Sequence, residues 1–200
     1  MPLGQDQATP LSPPSALARP QLSMFGDIET ASAERLLCRM EELAQEEGDL
    51  VLEITTIGGD AEMARRIVLE IEQVRKRRGG RFLFLGKTMV YSAGVTIMSA
   101  FPRAERWLSP DTRLMIHGRQ LEKTLTLSGP MRASLPQIDG LHAEIRNGLQ
   151  LEEEGFRRLI EGSDVTLDEL LGKAAYNWYL TARQAVECGL VAGLYPPGAG

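Results

Sequence analysis

Long apolar runs, paired cysteines and surplus basic charge are all missing from this sequence, and each absence narrows what the chain can be. The longest mostly apolar stretch, Met89–Phe101, has 13 residues and includes two serines, too short to cross a bilayer as a helix. The N-terminal stretch MPLGQDQATPLSPPSALARPQ lacks a basic segment followed by an apolar one, so it does not read as a secretory signal. Only two cysteines occur, Cys38 and Cys188. They lie far apart and match no metal spacing, so they read as free, buried thiols in a reducing cytosol. The net charge of −5 argues against nucleic acid or an anionic membrane as the main partner. The basic cluster Arg75-Lys76-Arg77-Arg78 reads as the solvated C-terminal end of a helix, where cations suit the macrodipole. Histidine is scarce too. Any mechanism that needs an imidazole must use His117 or His142.

What is present is an ordinary globular composition, 43% hydrophobic and 24% charged over 200 residues. A chain of this length buries roughly 70–75% of the surface its unfolded form exposes, so neither a metal nor a disulfide is needed to hold it. Residues 1–22 carry five of the eleven prolines and little periodic apolar pattern, which predicts a disordered or extended arm. From Met24 the pattern changes. Ser32 is placed to cap a helix with Leu36, Leu37, Met40 and Leu43 on one face, closed by Gly48. LVLEITTI (50–57) reads as a buried strand. Asp60 then caps a helix with Met63, Ile67, Ile71 and Val74 on one face, which stops at Gly79-Gly80. RFLFLG (81–86) is a second strand, and a short helix follows Ser92. RWLS and RLMIH are two further strands around Pro110-Asp111. This alternation predicts an α/β fold with parallel crossovers.

Residues 120–131 alternate like an exposed strand or hairpin. Ser134-x-x-Gln137 resembles a capping box that opens a long helix running to Glu161, about 40 Å in length. Further capped helices begin near Thr166 and Thr181, and residues 196–200 read as a flexible tail.

Three pieces could carry chemistry. Gly58-Gly59 at a strand-to-helix corner leave backbone N–H groups free and sterically open, which suits an oxyanion. Ser92 stands at a helix entrance between small residues, where its hydroxyl is exposed and the N–H of Ala93 can point at the same spot. His117 ends the apolar run Leu114-Met115-Ile116. Each piece also has a plain structural reading: a tight turn, a helix cap, a hydrogen-bonded core histidine. His142 falls beside charged residues on the long helix, as a solvated side chain would.

Taken together, in this order, the pieces are more specific. Over residues 23–195 the chain resembles the Clp protease proteolytic subunit family. The resemblance is carried by Gly58-Gly59, by Val90-Tyr91-Ser92-Ala93-Gly94, and by Leu108-Ser109-Pro110-Asp111-Thr112-Arg113-Leu114-Met115-Ile116-His117. It is carried also by the 25-residue step from Ser92 to His117, and by Tyr179-Leu180-Thr181-Ala182 with Ala185 and Gly189-Leu190-Val191. The resemblance implies a crotonase-like α/β spiral of ββα units with a protruding handle of one strand and one long helix. It implies a cytoplasmic serine endopeptidase without cofactor or metal, with Ser92 as nucleophile and His117 as general base. The N–H groups of Gly59 and Ala93 would form the oxyanion hole. The implied partners are other copies of the chain in rings, heptameric or stacked, together with peptide or unfolded-protein substrates and an AAA+ unfoldase.

The chain departs from the family's pattern in places. Asn177 stands where the resemblance puts the third triad member, an aspartate, and Tyr176 where it has an arginine. An asparagine carbonyl can orient the imidazole but brings no charge, and Asp164 and Asp168, in the turn and helix just before it, are the next carboxylates to consider. Glu53 occupies an otherwise apolar strand where an unfoldase loop would meet an aromatic side chain. Gly118-Arg119 replace the Gln-Pro that commonly follows the histidine, and the interval from His117 to Asn177 is long. Two other readings fit the same residues: a catalytically silent assembly protein of the same fold, and a crotonase-type acyl-CoA enzyme using the same backbone donors.

Overall fold

The structure, a computed structural model, describes residues 12–196. Its centre is a seven-stranded sheet in the order β1 (Leu22–Phe25), β2 (Leu50–Thr56), β3 (Phe82–Tyr91), β4 (Arg106–Leu108) and β7 (Gly193–Leu194), all parallel. β5 (Arg113–Ile116) pairs in parallel with the far end of β3, and antiparallel with β6 (Trp178–Thr181).

The strands are almost continuously apolar because the sheet is buried on both faces. With side chains alternating, Leu50, Leu52 and Ile54 of β2 point to one face. There they meet α1 (Thr30–Leu43) and α2 (Ala61–Arg77) through Leu36, Met40, Ile67, Ile71 and Val74. Val51, Leu83, Leu85 and Trp107 point to the other face and enclose Leu17. Leu17 lies in a short 3-10 turn, Ser15–Ala18, so the arm expected over residues 1–22 is packed on the sheet along its described part. An apolar side chain at the right place outweighs the surrounding prolines. Residues 1–11 and the tail residues 197–200 lie outside the described residues.

Caps set the helix limits. Asp60 accepts hydrogen bonds from the N–H groups of Glu62 (2.7 Å) and Met63 (3.0 Å), as its position predicts. α1 opens one turn earlier than expected: Glu29 is its N-cap and Ser32 lies inside, its hydroxyl accepting from the Glu29 N–H at 2.9 Å. β3 also outruns its expected end at Gly86. Thr88 takes φ +57°, and the pairing with β2 shifts register there. The bend lets one strand pair with β2 and β4 early and with β5 late. That late segment delivers Ser92.

α3 (Ala93–Met98) follows Ser92, and α5 (Leu167–Ala174) and α6 (Ala182–Glu187) flank β6. α4 (Met131–Ile160) is the long helix, unbroken for 30 residues, about 45 Å. It begins after Pro130, before the expected Ser134–Gln137 box, which is not used as a cap. Residues 120–129 form no strand in the single chain. Their alternating Leu121, Leu125 and Leu127 are exposed, and among the described residues no strand pairs with them to take up the backbone hydrogen bonds a strand needs.

Arg106 anchors the base of α4. It is buried, and its guanidinium donates to the carbonyls of Leu159 (2.6 Å), Phe101 (2.7 Å), Leu190 and Arg158 (both 3.1 Å). Burial brings its pKa down to about 10, more than the nearby Glu161 charge raises it. With the Ser99 carbonyl at 3.4 Å, five carbonyls from three chain segments surround the guanidinium and take up its donors.

Candidate active site

The register of β3 against β5 brings the candidate residues together. Tyr91 pairs with Met115, and the Ser92 N–H donates to the Met115 carbonyl at 2.8 Å. His117, two residues beyond Met115, therefore stands beside Ser92 despite the 25 residues between them. Its Nε2 is 2.8 Å from Ser92 Oγ. Ser92 has φ +53° and ψ −117° at the N-cap of α3, a conformation that side-chain-bearing residues rarely adopt and that costs on the order of 1–3 kcal/mol. The β5 hydrogen bond and the first turn of α3, where Val95 N–H donates to Ser92 O at 2.9 Å, hold it there. The sharp turn pushes the hydroxyl out toward the imidazole.

The other ring nitrogen fixes the tautomer. His117 Nδ1 lies 2.6 Å from the Gly118 carbonyl oxygen. A carbonyl only accepts, so Nδ1 carries the proton and Nε2 is left with its lone pair toward Ser92. This is the arrangement a general base needs.

Gly58 and Gly59 make the space beside the serine. Gly59, at φ +140°, pairs with Ile28 across an isolated bridge so closely that a Cβ would stand 2.3 Å from the Ile28 carbonyl oxygen. The carbonyl of Gly58 and the N–H of Asp60 are used in that contact. Among the described residues the N–H of Gly59 has no acceptor, and neither does that of Ala93, the first residue of α3. Both residues line the same cavity as Ser92 and His117, about 400 Å³ in volume. Its floor is apolar, with Val68, Val95, Ile116 and Phe156, and its rim carries Arg65, Arg119 and Glu152.

The rim is tied across elements. The Arg119 guanidinium pairs with Glu62 of α2, which also pairs with Arg65 at 2.6 Å. The Arg119 backbone N–H donates to the Glu152 carboxylate of α4. Partial burial pushes the Glu62 carboxyl up, but Arg119 and Arg65 outweigh it and hold the group below the usual carboxylate range. Among the described residues, no group of three His, Cys, Asp or Glu side chains could hold a metal ion.

Asn177 is not joined to this pair. It is exposed at φ +58° between α5 and β6, its N–H donating to the Ala174 carbonyl. Asparagine is one of the few residues that tolerates this left-handed conformation, which turns the chain from helix into strand. Among the described residues no hydrogen bond runs from Asn177, Asp164 or Asp168 to His117, whose Nδ1 is occupied by Gly118. Glu152 was not legible as a site residue, since it is one of three consecutive glutamates. The one signal near it was Gly118-Arg119 after the histidine. His142 is exposed on α4, 3.5 Å from Arg146, as expected. Cys38 is exposed and Cys188 half-buried, so the expected burial of both thiols does not hold: Cys38 falls on the outer face of α1.

Glu53 lies on the Val51–Leu83–Leu85 face of the sheet. It is buried, 8% exposed, and pairs with Lys87 Nζ at 2.5 Å. The neighbouring strand thus supplies the charge that lets a carboxylate sit on an apolar face.

The chain matches the family model described as Clp protease over residues 14–196. A solved structure of a single-substitution mutant of ClpP1 from Listeria monocytogenes superposes on it with a TM-score of 0.68. The two are 20% identical, and the match covers 86% of this chain and 89% of that one. No curated protein sequence matches. The mixed α/β architecture, with its parallel sheet and flanking helices, matches the crotonase-like fold of that structure. With a family match over nearly its whole length and the same fold in a ClpP structure, the chain belongs to the Clp protease family, a family of peptidases.

Proposed function

We propose that the chain is a serine endopeptidase that hydrolyses peptide bonds inside a self-compartmentalised homo-oligomer. The observation that carries this reading is the 2.8 Å contact between His117 Nε2 and Ser92 Oγ, with the tautomer set by the Gly118 carbonyl. Ser92 Oγ attacks the scissile carbonyl while Nε2 takes its proton. The carbonyl oxygen, now an oxyanion, receives the N–H groups of Gly59 and Ala93, which need no reorganisation. Donors of this kind are worth about 3–4 kcal/mol each in related chemistry. The imidazolium returns the proton to the leaving amine, and a water then repeats the sequence to release the acyl group. The same residues favour this reading over a silent scaffold, which has no use for a strained serine beside a correctly protonated imidazole. The three arginines that line the cavity, Arg65, Arg119 and Arg158, are each paired with a glutamate, Glu62 or Glu72, which disfavours a site for the phosphates of an acyl-CoA.

The peptidase domain is taken as residues 23–195, with the proline-rich arm before it packing Leu17 on the same sheet. Free thiols suit the reducing cytoplasm, and no helix among the described residues is long and apolar enough to cross a membrane. The substrate is a peptide or unfolded protein. A hydrophobic unfoldase loop docking on the Glu53 face would have to bury or displace the Glu53–Lys87 pair, which weakens that partnership. The test is labelling with a fluorophosphonate, with peptide hydrolysis alongside. Wild type is expected to label and Ser92→Ala not to. Labelling that survives Ser92→Ala, or that is absent from the well-folded wild type, overturns the assignment.

A further inference from the structure

We propose that the peptide unit between Gly118 and Arg119, gripped by the Glu152 carboxylate, takes the third position of the catalytic relay. The proposal rests on the Ser92–His117 reading above. A trans peptide is planar, and its C=O and N–H point in opposite directions. In this one unit the C=O end accepts the Nδ1 proton of His117 at 2.6 Å, and the N–H end donates to Glu152. The carboxylate therefore does two things through a rigid group. It fixes the orientation of the carbonyl that sets the imidazole's tautomer. It also polarises the amide, because hydrogen bonds in a chain strengthen one another, and so adds negative character to the oxygen facing Nδ1. The negative charge that a triad carboxylate supplies by direct contact arrives here at one peptide's remove.

Three further observations support a built arrangement. Position 118 is a glycine, and a Cβ there would lie 3.0 Å from Glu152 Oε2, so a larger side chain would press on the carboxylate that holds the loop. The Arg119 side chain is held separately by Glu62 of α2, which ties the loop from the opposite wall of the cavity. Finally, Asn177 makes no hydrogen bond to His117 among the described residues, and the position facing Nδ1 is already filled. Glu152 is thus a positioning residue that acts on His117 through the backbone. It is not a catalytic residue, since the reacting atoms never touch it.

The charged groups that line the cavity with the imidazole are Glu152, Glu154 and Arg158 from α4, Arg65 from α2 and Arg119 from its own loop, with Glu62 of α2 paired to both Arg65 and Arg119. The experiment measures the fluorophosphonate labelling rate and peptide hydrolysis as functions of pH. It uses full-length wild type, Glu152→Gln, Glu152→Ala, Asn177→Ala and Ser92→Ala. Glu152→Ala is expected to lower kcat and the labelling rate about 10- to 100-fold with KM little changed, the scale of outer partners behind metal-ligating histidines. Glu152→Gln keeps an acceptor for the Arg119 N–H and loses the charge, so its loss is smaller. Removing a negative charge disfavours the imidazolium, so in both variants the acid limb of the profile moves to lower pH. A merely structural role would lower the amount of active enzyme without moving the limb. Because Glu152→Gln is nearly isosteric, it serves as the measured variant if Glu152→Ala does not fold. Rates and acid limbs equal to wild type in Glu152→Gln and Glu152→Ala, or a collapse confined to Asn177→Ala, overturn the proposal. Ser92→Ala separates the two readings: activity that survives it removes the nucleophile, whereas its loss beside an unaffected Glu152→Ala removes only the relay.

Discussion

A Cβ built on Gly58 would stand 2.7 Å from the Cβ of Ser92 and 3.3 Å from the Tyr91 carbonyl oxygen. Gly58 also has φ +111°, which an alanine reaches only under strain. The serine turn and the glycine corner are therefore one packed unit from two different strands. Gly58→Ala is expected to destabilise the fold by about 1–3 kcal/mol and to abolish fluorophosphonate labelling by displacing Ser92. Labelling at the wild-type rate in a folded Gly58→Ala protein would show that the turn tolerates the shift.

The conformation of Asn177 sets a second expectation. Alanine at φ +58° costs roughly 1 kcal/mol more than asparagine or glycine. Asn177→Ala should therefore lower the melting temperature while Asn177→Gly does not. Both should keep the peptidase rate within about twofold of wild type, as a residue without contact to the reacting groups does. A tenfold loss of rate in Asn177→Gly with unchanged stability would return Asn177 to the triad.

How much of this was legible in the sequence depends on how local the physics is. The Asp60 cap, the β2 strand and the apolar face of α2 follow from neighbours within a few residues, and the structure has them where periodicity puts them. Ser92 and His117 were found as a pair because their spacing matches a family, but what joins them is the Tyr91–Met115 register, a pairing between distant segments. The peptide behind His117 left almost no trace. Its role depends on a backbone carbonyl, which every residue has, and on Glu152, which sequence alone cannot tell from Glu153 or Glu154. Asn177 is ambiguous for the opposite reason: a left-handed turn and a triad position can both ask for the same side chain.

Glu105 gives a prediction in pH. Its Oε2 is buried 3.3 Å from Arg75, within ion-pair range but outside hydrogen-bonding geometry. Burial raises its pKa more than the Arg75 and Arg81 charges lower it. A carboxyl whose pKa is raised on folding destabilises the protein above that pKa, because the charged form is favoured in the unfolded chain. The penalty fades as pH falls through the raised value toward the ordinary one. Glu105→Gln is therefore expected to melt higher than wild type at neutral pH, with the difference shrinking as the pH approaches 4. A lower melting temperature for Glu105→Gln at pH 7 would mean that the Arg75 attraction dominates.

The exposed face of α4 leads to the last expectation. Met131, Leu135, Ile138, Ile145 and Leu149 recur at helical spacing along its outer portion, with Met131 89% and Leu149 57% exposed. Phe156 and Leu159, near its end, are buried in the core. One side of a helix is thus apolar along its whole length but packed only at its base, where Arg106 holds it. A stripe of this length is seldom left to water, and the exposed Leu121, Leu125 and Leu127 continue the apolar surface beside it. A second copy of the chain offers the same stripe and the same unpaired backbone. Burying each leucine is worth about 1.5–3 kcal/mol before the cost of association, so several together can hold an assembly. Light scattering of the wild type is expected to give a multiple of the 22.0 kDa chain mass. The double variant Leu135→Glu/Leu149→Glu should fall to a smaller species. Its fold should be kept, because neither side chain is part of the core. A compact wild-type monomer at micromolar concentration would remove the oligomer from the proposed function. An unchanged mass in the double variant would place the contacts elsewhere on the chain.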